Sequence, residues 1–221
     1  MKGEKLPVTL LSAQVIPNAS PALCKALKLK KHHRSLALVS ADSDDVTYIA
    51  LDEATKAADV EVVYGKSLYA GAANASTALA GEVIGILAGP DPSAVESGLQ
   101  ALRSTLEEVS FRSANDRGDV VYLAHCVSRT GSYLAKLAKV PQGQALAYLI
   151  APPVEAVMGI DAALKASDVE LTEFFAPPTE TNFAGAILTG TQSACMAACD
   201  AFATAVCAVA ENPKGGCYGI G

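Results

Sequence analysis

Acidic residues crowd a short stretch that follows the apolar run Leu36–Val39. Three carboxylates, those of Asp42, Asp44 and Asp45, fall within four consecutive positions, ahead of a helical pattern that begins near Tyr48. A helix N-terminus can use one aspartate to cap free backbone N–H groups, and its dipole favours acidic neighbours. Further carboxylates beside the first repel it unless a cation is near. Two interpretations follow, a helix cap or a site for a cation.

The chain contains two related copies of one sequence pattern. The segment Leu51–Val62 aligns with Ile160–Leu171 at a constant offset of 109, with seven identical residues. The same offset is expected to align Ala26–Leu27 with Ala135–Lys136, whereas the later glycines 89 and 190 match at an offset of 101. A repeat of this length predicts two tandem domains. We place them at residues 1–113 and 114–221.

Each copy has the hydrophobic pattern of a mixed α/β domain. In the first copy the pattern predicts three helices: one capped by Asn18 or Ser20, one from about Tyr48, and one that begins near Pro90. Four strands are also predicted, over Pro7–Val15, Leu36–Val39, Val60–Tyr64 and Glu82–Leu87. The fold class is therefore α/β, more closely α+β, with a small antiparallel sheet and helices on one face of it.

The second copy lacks the acidic residues of the first. At the offset of 109, Asp44 and Asp45 face a proline and a valine, and at the offset of 101 Glu82 faces Phe183. Folding therefore does not require these acids as caps. Carboxylates attract an ammonium group, and an aromatic ring adds cation–π attraction of roughly 0.5–2 kcal/mol. Asp44, Asp45, Glu82 and Phe183 are predicted to contribute to a site for a small organic cation.

Composition limits the partners of the chain. The net charge of −6 and pI of about 5.1 argue against nucleic acid or an anionic membrane, and the one basic run, Lys28–Arg34, is predicted to be a solvated loop or a subunit contact. No uninterrupted apolar run approaches the roughly 18–20 residues of a membrane span. A mean hydropathy of +0.28 predicts an oligomer. Six cysteines without a secretion signal indicate a reducing cytoplasm.

No catalytic or metal site is predicted. Cys195, Cys199 and Cys207 share a helical face, but their first-copy counterparts are packing residues, and no zinc-type pair of Cys-x-x-Cys motifs occurs. His125 and Cys126 are adjacent on a predicted strand, so their side chains point to opposite faces. The chain is therefore not predicted to be an enzyme.

Several long strings of the sequence resemble one known family. They are typical of the L-type shell proteins of ethanolamine-utilisation microcompartments, and the likeness covers nearly the whole chain. The strings are SADSDDVTYIA (40–50), VEVVYGKSLYAGAA (60–73), VSRTGSYL (127–134), APPVEA (151–156), GIDAALK (159–165) and TETNFAGAILTG (179–190).

The resemblance implies an architecture and a function. Two circularly permuted microcompartment shell domains make up the chain, and a homotrimer forms a pseudohexagonal tile that packs with neighbouring shell proteins. Each subunit has an acidic small pore that binds and passes ethanolamine, and a gated central pore serves larger metabolites. The enclosed ethanolamine lyase depends on cobalamin, and whether cobalamin also binds or crosses the tile stays open.

The resemblance also implies roles for individual residues. The acidic pore falls on Asp44, Asp45 and Glu82, with Phe183 and Phe111 as aromatic members. The moving loops of the central pore are residues 65–78 and 174–182. The C-terminal residues 215–221 depart from the family pattern and are expected to be disordered. Asp42, nearest the strand, is expected to be structural. The alternative function is that of a ligand-binding sensor for a small organic cation.

Overall fold

The computed structural model describes residues 1–68, 82–177 and 179–214. In chain order the strands are β1 (Lys5–Leu6), β2 (Leu10–Ile16), β3 (Ser35–Ala41), β4 (Glu61–Ser67), β5 (Val83–Gly89), β6 (Phe111–Ser113), β7 (Val121–Val127), β8 (Ala145–Ala151), β9 (Val169–Phe175) and β10 (Ala184–Gly190). The helices are α1 (Pro21–Ala26), α2 (Asp44–Ala57), α3 (Pro92–Glu108), α4 (Ser132–Ala138), α5 (Pro153–Ala166) and α6 (Gln192–Glu211).

The chain forms two compact units that do not follow chain order. Unit I comprises Pro7–Ser110 and Val127–Ala145, and unit II comprises Met1–Leu6, Phe111–Cys126 and the chain from Leu146 onward. The predicted domains 1–113 and 114–221 follow the duplicated sequence, whereas the units are defined by spatial contact. The two definitions differ, so the predicted domain boundary between residues 113 and 114 stays a prediction.

Unit I is built on a four-stranded sheet with the strand order β2-β3-β5-β4. All three strand pairs are antiparallel, and β3 pairs with β5 from Ser35 opposite Gly89 to Ala41 opposite Val83. The two central strands are almost continuously apolar, as expected of strands covered on both faces. The predicted antiparallel sheet is confirmed.

The helices of unit I lie on both faces of this sheet. Leu51 of α2 lies over Gly85, so close that a Cβ on the glycine would be 2.9 Å from it. On the opposite face, Leu36 and Ala88 form a cluster against which Cys24 of α1 packs. Adjacent strand residues point to opposite faces, so α1 lies on the face away from α2 and α3. The prediction of all helices on one face is therefore wrong for α1.

Unit II repeats the same plan with two short strands added. Its sheet has the order β1-β6-β7-β8-β10-β9, in which the last four strands correspond to those of unit I. Helices α5 and α6 pack against each other and against β9 and β10. Gly159 allows the close approach of these helices, because a Cβ there would be 2.6 Å from the ring of Phe202. The fully buried Phe202 anchors this core.

Helix α6 is long and apolar enough to pass as a membrane span by length and composition, and no other helix in the described parts of the chain does so. Seven of its residues are buried, among them the three cysteines 195, 199 and 207. This helix packs one apolar face on α5 and β10, as an amphipathic helix does. The predicted packing role of the three cysteines is confirmed.

The helices that follow β2 and β7 begin with different caps. The hydroxyl of Ser20 accepts a hydrogen bond from the Leu23 N–H and caps α1, which settles the predicted alternatives in favour of Ser20. Helix α4 has Gly131 at this position, and the Asp52 carboxylate of α2 accepts bonds from Gly131 N and Leu134 N instead. A carboxylate from another helix thus replaces the local cap.

The same two helices correct the sequence alignment. Lys28 follows α1 and Lys139 follows α4, both with left-handed backbones (φ of 54° and 57°). Their equivalence requires an offset of 111, so the predicted pairing of Ala26–Leu27 with Ala135–Lys136 is wrong by two residues. The offset returns to 109 at the starts of α2 and α5, Asp44 and Pro153. The first copy therefore carries extra residues in the turns before and after β3.

Candidate cation site

One end of the unit I sheet brings three turns together. Strand β3 ends at Ala41 and β4 ends at Ser67, and Glu82 directly precedes β5. The Glu82 N–H donates to the Ala41 carbonyl (2.8 Å), and the Glu82 carbonyl accepts from Leu68 N (2.7 Å). Backbone hydrogen bonds therefore fix Glu82 beside the end of β3, directly ahead of α2.

Asp44 and Asp45 form the first turn of α2 and are only 7% and 8% exposed. The Asp44 Oδ1 accepts a hydrogen bond from Asp45 N at 2.8 Å, and the side chains of Ser67 and Asp45 also hydrogen-bond to Asp44. The Ser67 hydroxyl lies 2.7 Å from that of Tyr48. The two predicted aspartates are thus buried and held in place by neighbouring polar groups.

The electrostatics of this end of the sheet are unfavourable to further negative charge. Burial raises the pKa of Asp44, although the hydrogen bonds it accepts oppose the shift. Burial, with added repulsion from Asp44 and Asp42, raises the pKa of Glu82 to about 7. Among the described residues, Asp42, Asp44 and Glu82 form no ion pair. The cluster therefore favours a bound cation.

Asp42 has a structural role. Its Oδ1 accepts from Thr9 N at 2.7 Å, and its own N–H donates to the Thr9 carbonyl at 3.2 Å. These bonds tie the end of β3 to the segment that leads into β2. The expectation that Asp42 is structural is confirmed.

Ser43 is the site residue that the sequence did not reveal. It is the N-cap of α2, yet its side chain makes no capping bond, and its buried hydroxyl has no partner among the described residues. The predicted helix start near Tyr48 lies four residues too late, which hid this position. The acids do lie at a helix N-terminus, as the first interpretation predicted. The equivalent helix α5 begins at Pro153 without them, so a helix start here does not require them. An unpaired polar group beside the acids supports the site interpretation.

The two predicted aromatic residues come together in unit II. Phe111 begins β6 and Phe183 directly precedes β10, and their ring centroids are 5.8 Å apart with an edge-to-face angle of 66°. The three carboxylates of Asp44, Asp45 and Glu82 are gathered in unit I. The membership of the two rings in the cation site stays a prediction.

Parts of three further predictions lie outside the described residues. These are positions 69–78 of the first predicted pore loop, position 178 of the second, and the C-terminal residues 215–221. For cysteine, histidine and acidic residues, the described chain contains no group of three or more that could hold a metal ion. His125 and Cys126 lie on β7, and burial raises the pKa of the Cys126 thiol, so that it is a poor nucleophile.

Glu82→Gln is expected to stabilise the chain at pH 8 and to change its stability little at pH 4.5. The folded-state pKa of about 7 lies above the ordinary value of 4.5, so the unfolded state ionises first as the pH rises. The free energy of unfolding of the wild type therefore falls as the pH rises from 4.5 to about 7. The loss is on the order of 1–2 kcal/mol after allowance for partial solvent exposure. Urea unfolding at both pH values measures the difference.

The matched control for this experiment is Glu96→Gln, at an exposed position on α3. This variant should follow the wild-type dependence of stability on pH. A wild-type chain more stable than Glu82→Gln at pH 8 would contradict the description of the acidic end of the sheet.

Comparison with known proteins identifies relatives of this chain. Residues 35–114 match the BMC domain family. A bacterial microcompartment shell protein EutL of Clostridium perfringens is 63% identical over 216 residues, which cover 97% of this chain and 100% of that protein. The EutL of Escherichia coli is 54% identical, over 93% of this chain and 94% of its own length.

A solved structure gives the same result. The crystal structure of ethanolamine utilization protein EutL from Leptotrichia buccalis superposes with a TM-score of 0.95 at 58% identity, covering 98% of this chain and 100% of that one. Fold and sequence together define a BMC-domain protein with two units of one plan. More particularly, the chain belongs to the EutL family of bacterial microcompartment shell proteins.

Proposed function

We propose that three copies of this chain form a pseudohexagonal tile, in which the acidic end of each unit I sheet lines a small pore that binds and passes ethanolamine. The chain is a structural shell protein of the ethanolamine-utilisation microcompartment in the bacterial cytoplasm. The segments 65–78 and 174–182, which include the ends of β4 and β9, open and close a central pore for larger metabolites, among which we include cobalamin. The tile packs with neighbouring shell proteins.

One observation carries the ethanolamine proposal. The carboxylates of Asp44 and Asp45 are buried, Glu82 lies at the same end of the sheet, and no ion pair within the described chain neutralises Asp44 or Glu82. Protonated ethanolamine brings one positive charge and three N–H donors, which match carboxylate acceptors. Its hydroxyl group suits the unpaired hydroxyl of Ser43. Both ends of the small molecule thus find a complementary group.

A pore requires weak binding. A site that releases its ligand readily works at a millimolar dissociation constant, about −4 kcal/mol. The raised pKa of Glu82 supports weak binding, because part of the binding energy is used to ionise that carboxyl group. The aromatic pair Phe111 and Phe183 enters the proposal as the source of a further cation–π contribution.

The exposed surface of α5 supports assembly. Val154, Val157 and Met158 are 65%, 47% and 51% exposed and lie on one stripe of the helix, at spacings of three and four residues. Contiguous exposed apolar groups mark protein–protein contacts. We assign this stripe to a contact between chains of the shell.

The double variant Val157→Glu/Met158→Glu is expected to prevent tile formation, because it places two charges where an apolar contact is proposed. Sedimentation should show the wild type near three times the chain mass of 22.6 kDa, and electron microscopy should show hexagonal sheets. The variant should lose the trimer, the hexagonal sheets or both. Lys165→Gln, on the same helix, loses an exposed ion pair to Asp161 and should assemble normally. Unimpaired sheets from the double variant would refute the assignment.

A further inference from the structure

A second polar site lies in unit I, in the basic run that the ethanolamine proposal leaves unused. Helix α1 and the loop Lys28–Arg34 enclose a surface cleft of about 640 Å³. Arg34 N donates to the Gly89 carbonyl (3.0 Å), which places the loop where β3 begins and β5 ends. The acidic residues occupy the other end of these same strands. The cleft is thus separate from the proposed ethanolamine site.

Positive charge concentrates in this cleft. The chain has a net charge of −6, yet five of its 17 lysines and arginines line this one cleft. Lys30 pairs with Glu61 of β4. The other four have no acidic partner within the described residues: Lys25, Lys28, Lys31 and Arg34. Four unneutralised cations around one concavity repel each other, and an anion would relieve the repulsion.

A buried histidine gives an independent indication of a ligand. His33 lines the cleft and is only 2% exposed, and its Nδ1 has no hydrogen-bond partner among the described residues. The Glu61 Oε2 atom lies 3.8 Å from this nitrogen, beyond hydrogen-bond distance. Nearly all buried polar atoms in proteins are paired, so an unpaired ring nitrogen at a cleft points to a missing partner.

The second copy of the repeat shows that folding does not need the charges of Lys31 and Arg34. Its equivalent loop, Lys139–Gln144, has the sequence KVPQGQ with one lysine. Both loops keep the same turn, since His33 N donates to the Lys30 carbonyl and Gln144 N donates to the Pro141 carbonyl. Lys28 has a counterpart in Lys139, whereas Lys31 and Arg34 are additional to the requirements of the turn.

We propose that this cleft binds a small phosphorylated metabolite. Its phosphate groups contact Lys28, Lys31 and Arg34, because lysine and arginine favour phosphate oxygens, and His33 supplies a further hydrogen bond. The organic part packs against apolar wall residues such as Cys24 and Leu29. The volume falls in the range of about 300–1,000 Å³ that small-molecule sites occupy. Ethanolamine, a cation, is excluded by charge, so the tile would bind an anion at a second place.

Calorimetric titration of the assembled full-length protein with ADP tests the proposal. At about 50 mM salt, wild type should bind one ADP per chain, and affinity should fall as salt is raised. The Lys31→Gln/Arg34→Gln variant should bind at least tenfold more weakly. The matched control Lys136→Gln/Lys139→Gln, on and after α4, should change affinity less than twofold. Circular dichroism and sedimentation verify that each variant is folded and assembled.

Further ligands identify the chemical group that is recognised. Pyrophosphate should compete with ADP, whereas adenosine should bind at least tenfold more weakly than ADP. The proposal is overturned if wild type fails to bind millimolar ADP, if the control variant loses as much affinity as the test variant, or if adenosine binds as tightly as ADP. Since Lys31 is exposed, the single variant Lys31→Gln provides the same test if the double variant fails to fold.

Discussion

Asp52→Ala is expected to lower the free energy of unfolding by about 3 kcal/mol. The carboxylate is fully buried and accepts hydrogen bonds from Gly131 N (2.7 Å) and Leu134 N (2.8 Å). These N–H groups belong to the start of α4, where a helix has no internal partners for them, and the glycine at the cap offers no side chain. The variant leaves both donors buried and unpaired.

Two terms set the size of this effect. Each buried unpaired donor costs about 1–3 kcal/mol. Burial raises the pKa of Asp52 against the lowering effect of its two N–H donors, so holding the carboxylate in place has a desolvation cost. Removal of the carboxylate recovers that cost, which keeps the loss below the sum of the two bonds. Urea unfolding at fixed protein concentration measures the difference.

The internal repeat provides a matched control. Asp161 occupies the position of Asp52 in the second copy, but it is 61% exposed and pairs with Lys165 at 2.7 Å. Asp161→Ala should therefore change the free energy of unfolding by less than about 0.5 kcal/mol. In Asp52→Ala, hydrogen exchange at the Gly131 and Leu134 amides should also accelerate. Equal losses in the two variants would show that Asp52 has no special role.

Asp44→Asn is expected to weaken ethanolamine binding at least tenfold at pH 8. The substitution keeps the size of the side chain but removes the charge at the buried centre of the acidic cluster. A lost charge-assisted hydrogen bond costs about 1.5–3 kcal/mol, and tenfold corresponds to about 1.4 kcal/mol. Calorimetry with ethanolamine against the assembled protein gives both affinities.

The pH dependence of ethanolamine affinity and a control variant show whether binding depends on the acidic cluster or only on the net charge of the chain. An ammonium ion favours the ionised form of Glu82, whose pKa is about 7 in the free protein, so wild-type binding should weaken as the pH falls from 8 to 6. Asp161→Asn, which removes an exposed carboxylate, should bind as the wild type does. The role of Asp44 would be excluded if Asp44→Asn and Asp161→Asn gave the same affinity.

The sequence predicted the parts of the fold that depend on local pattern and on repetition. The alternation of apolar strands and helical stripes gave the antiparallel sheets. The polar residues Asn18 and Ser20 gave the two candidate caps of α1, of which the structure selects Ser20. The comparison between copies separated the three acids from the requirements of folding, and the structure places those acids at one end of the unit I sheet.

Other features depend on partners that are far away in the chain. Asp52 was visible only as an identity in the repeat, because the amides it binds are 79 and 82 residues further along. The buried hydroxyl of Ser43 was missed because the start of α2 was placed too late. Three acids within four positions suggested a turn rather than the first turn of a helix. The position of α1 on the second face of the sheet depends on packing, which hydrophobic periodicity alone does not specify.

A crystal structure of the assembled protein soaked with ethanolamine tests the central proposal most directly. The predicted result is one ethanolamine per chain at the end of β3, with its nitrogen about 2.8 Å from carboxylate oxygens of Asp44 or Glu82 and its hydroxyl on Ser43. The same structure would show whether Phe111 and Phe183 contact the ligand. An acidic cluster without ethanolamine at a saturating concentration, or ethanolamine bound elsewhere, would contradict the proposal.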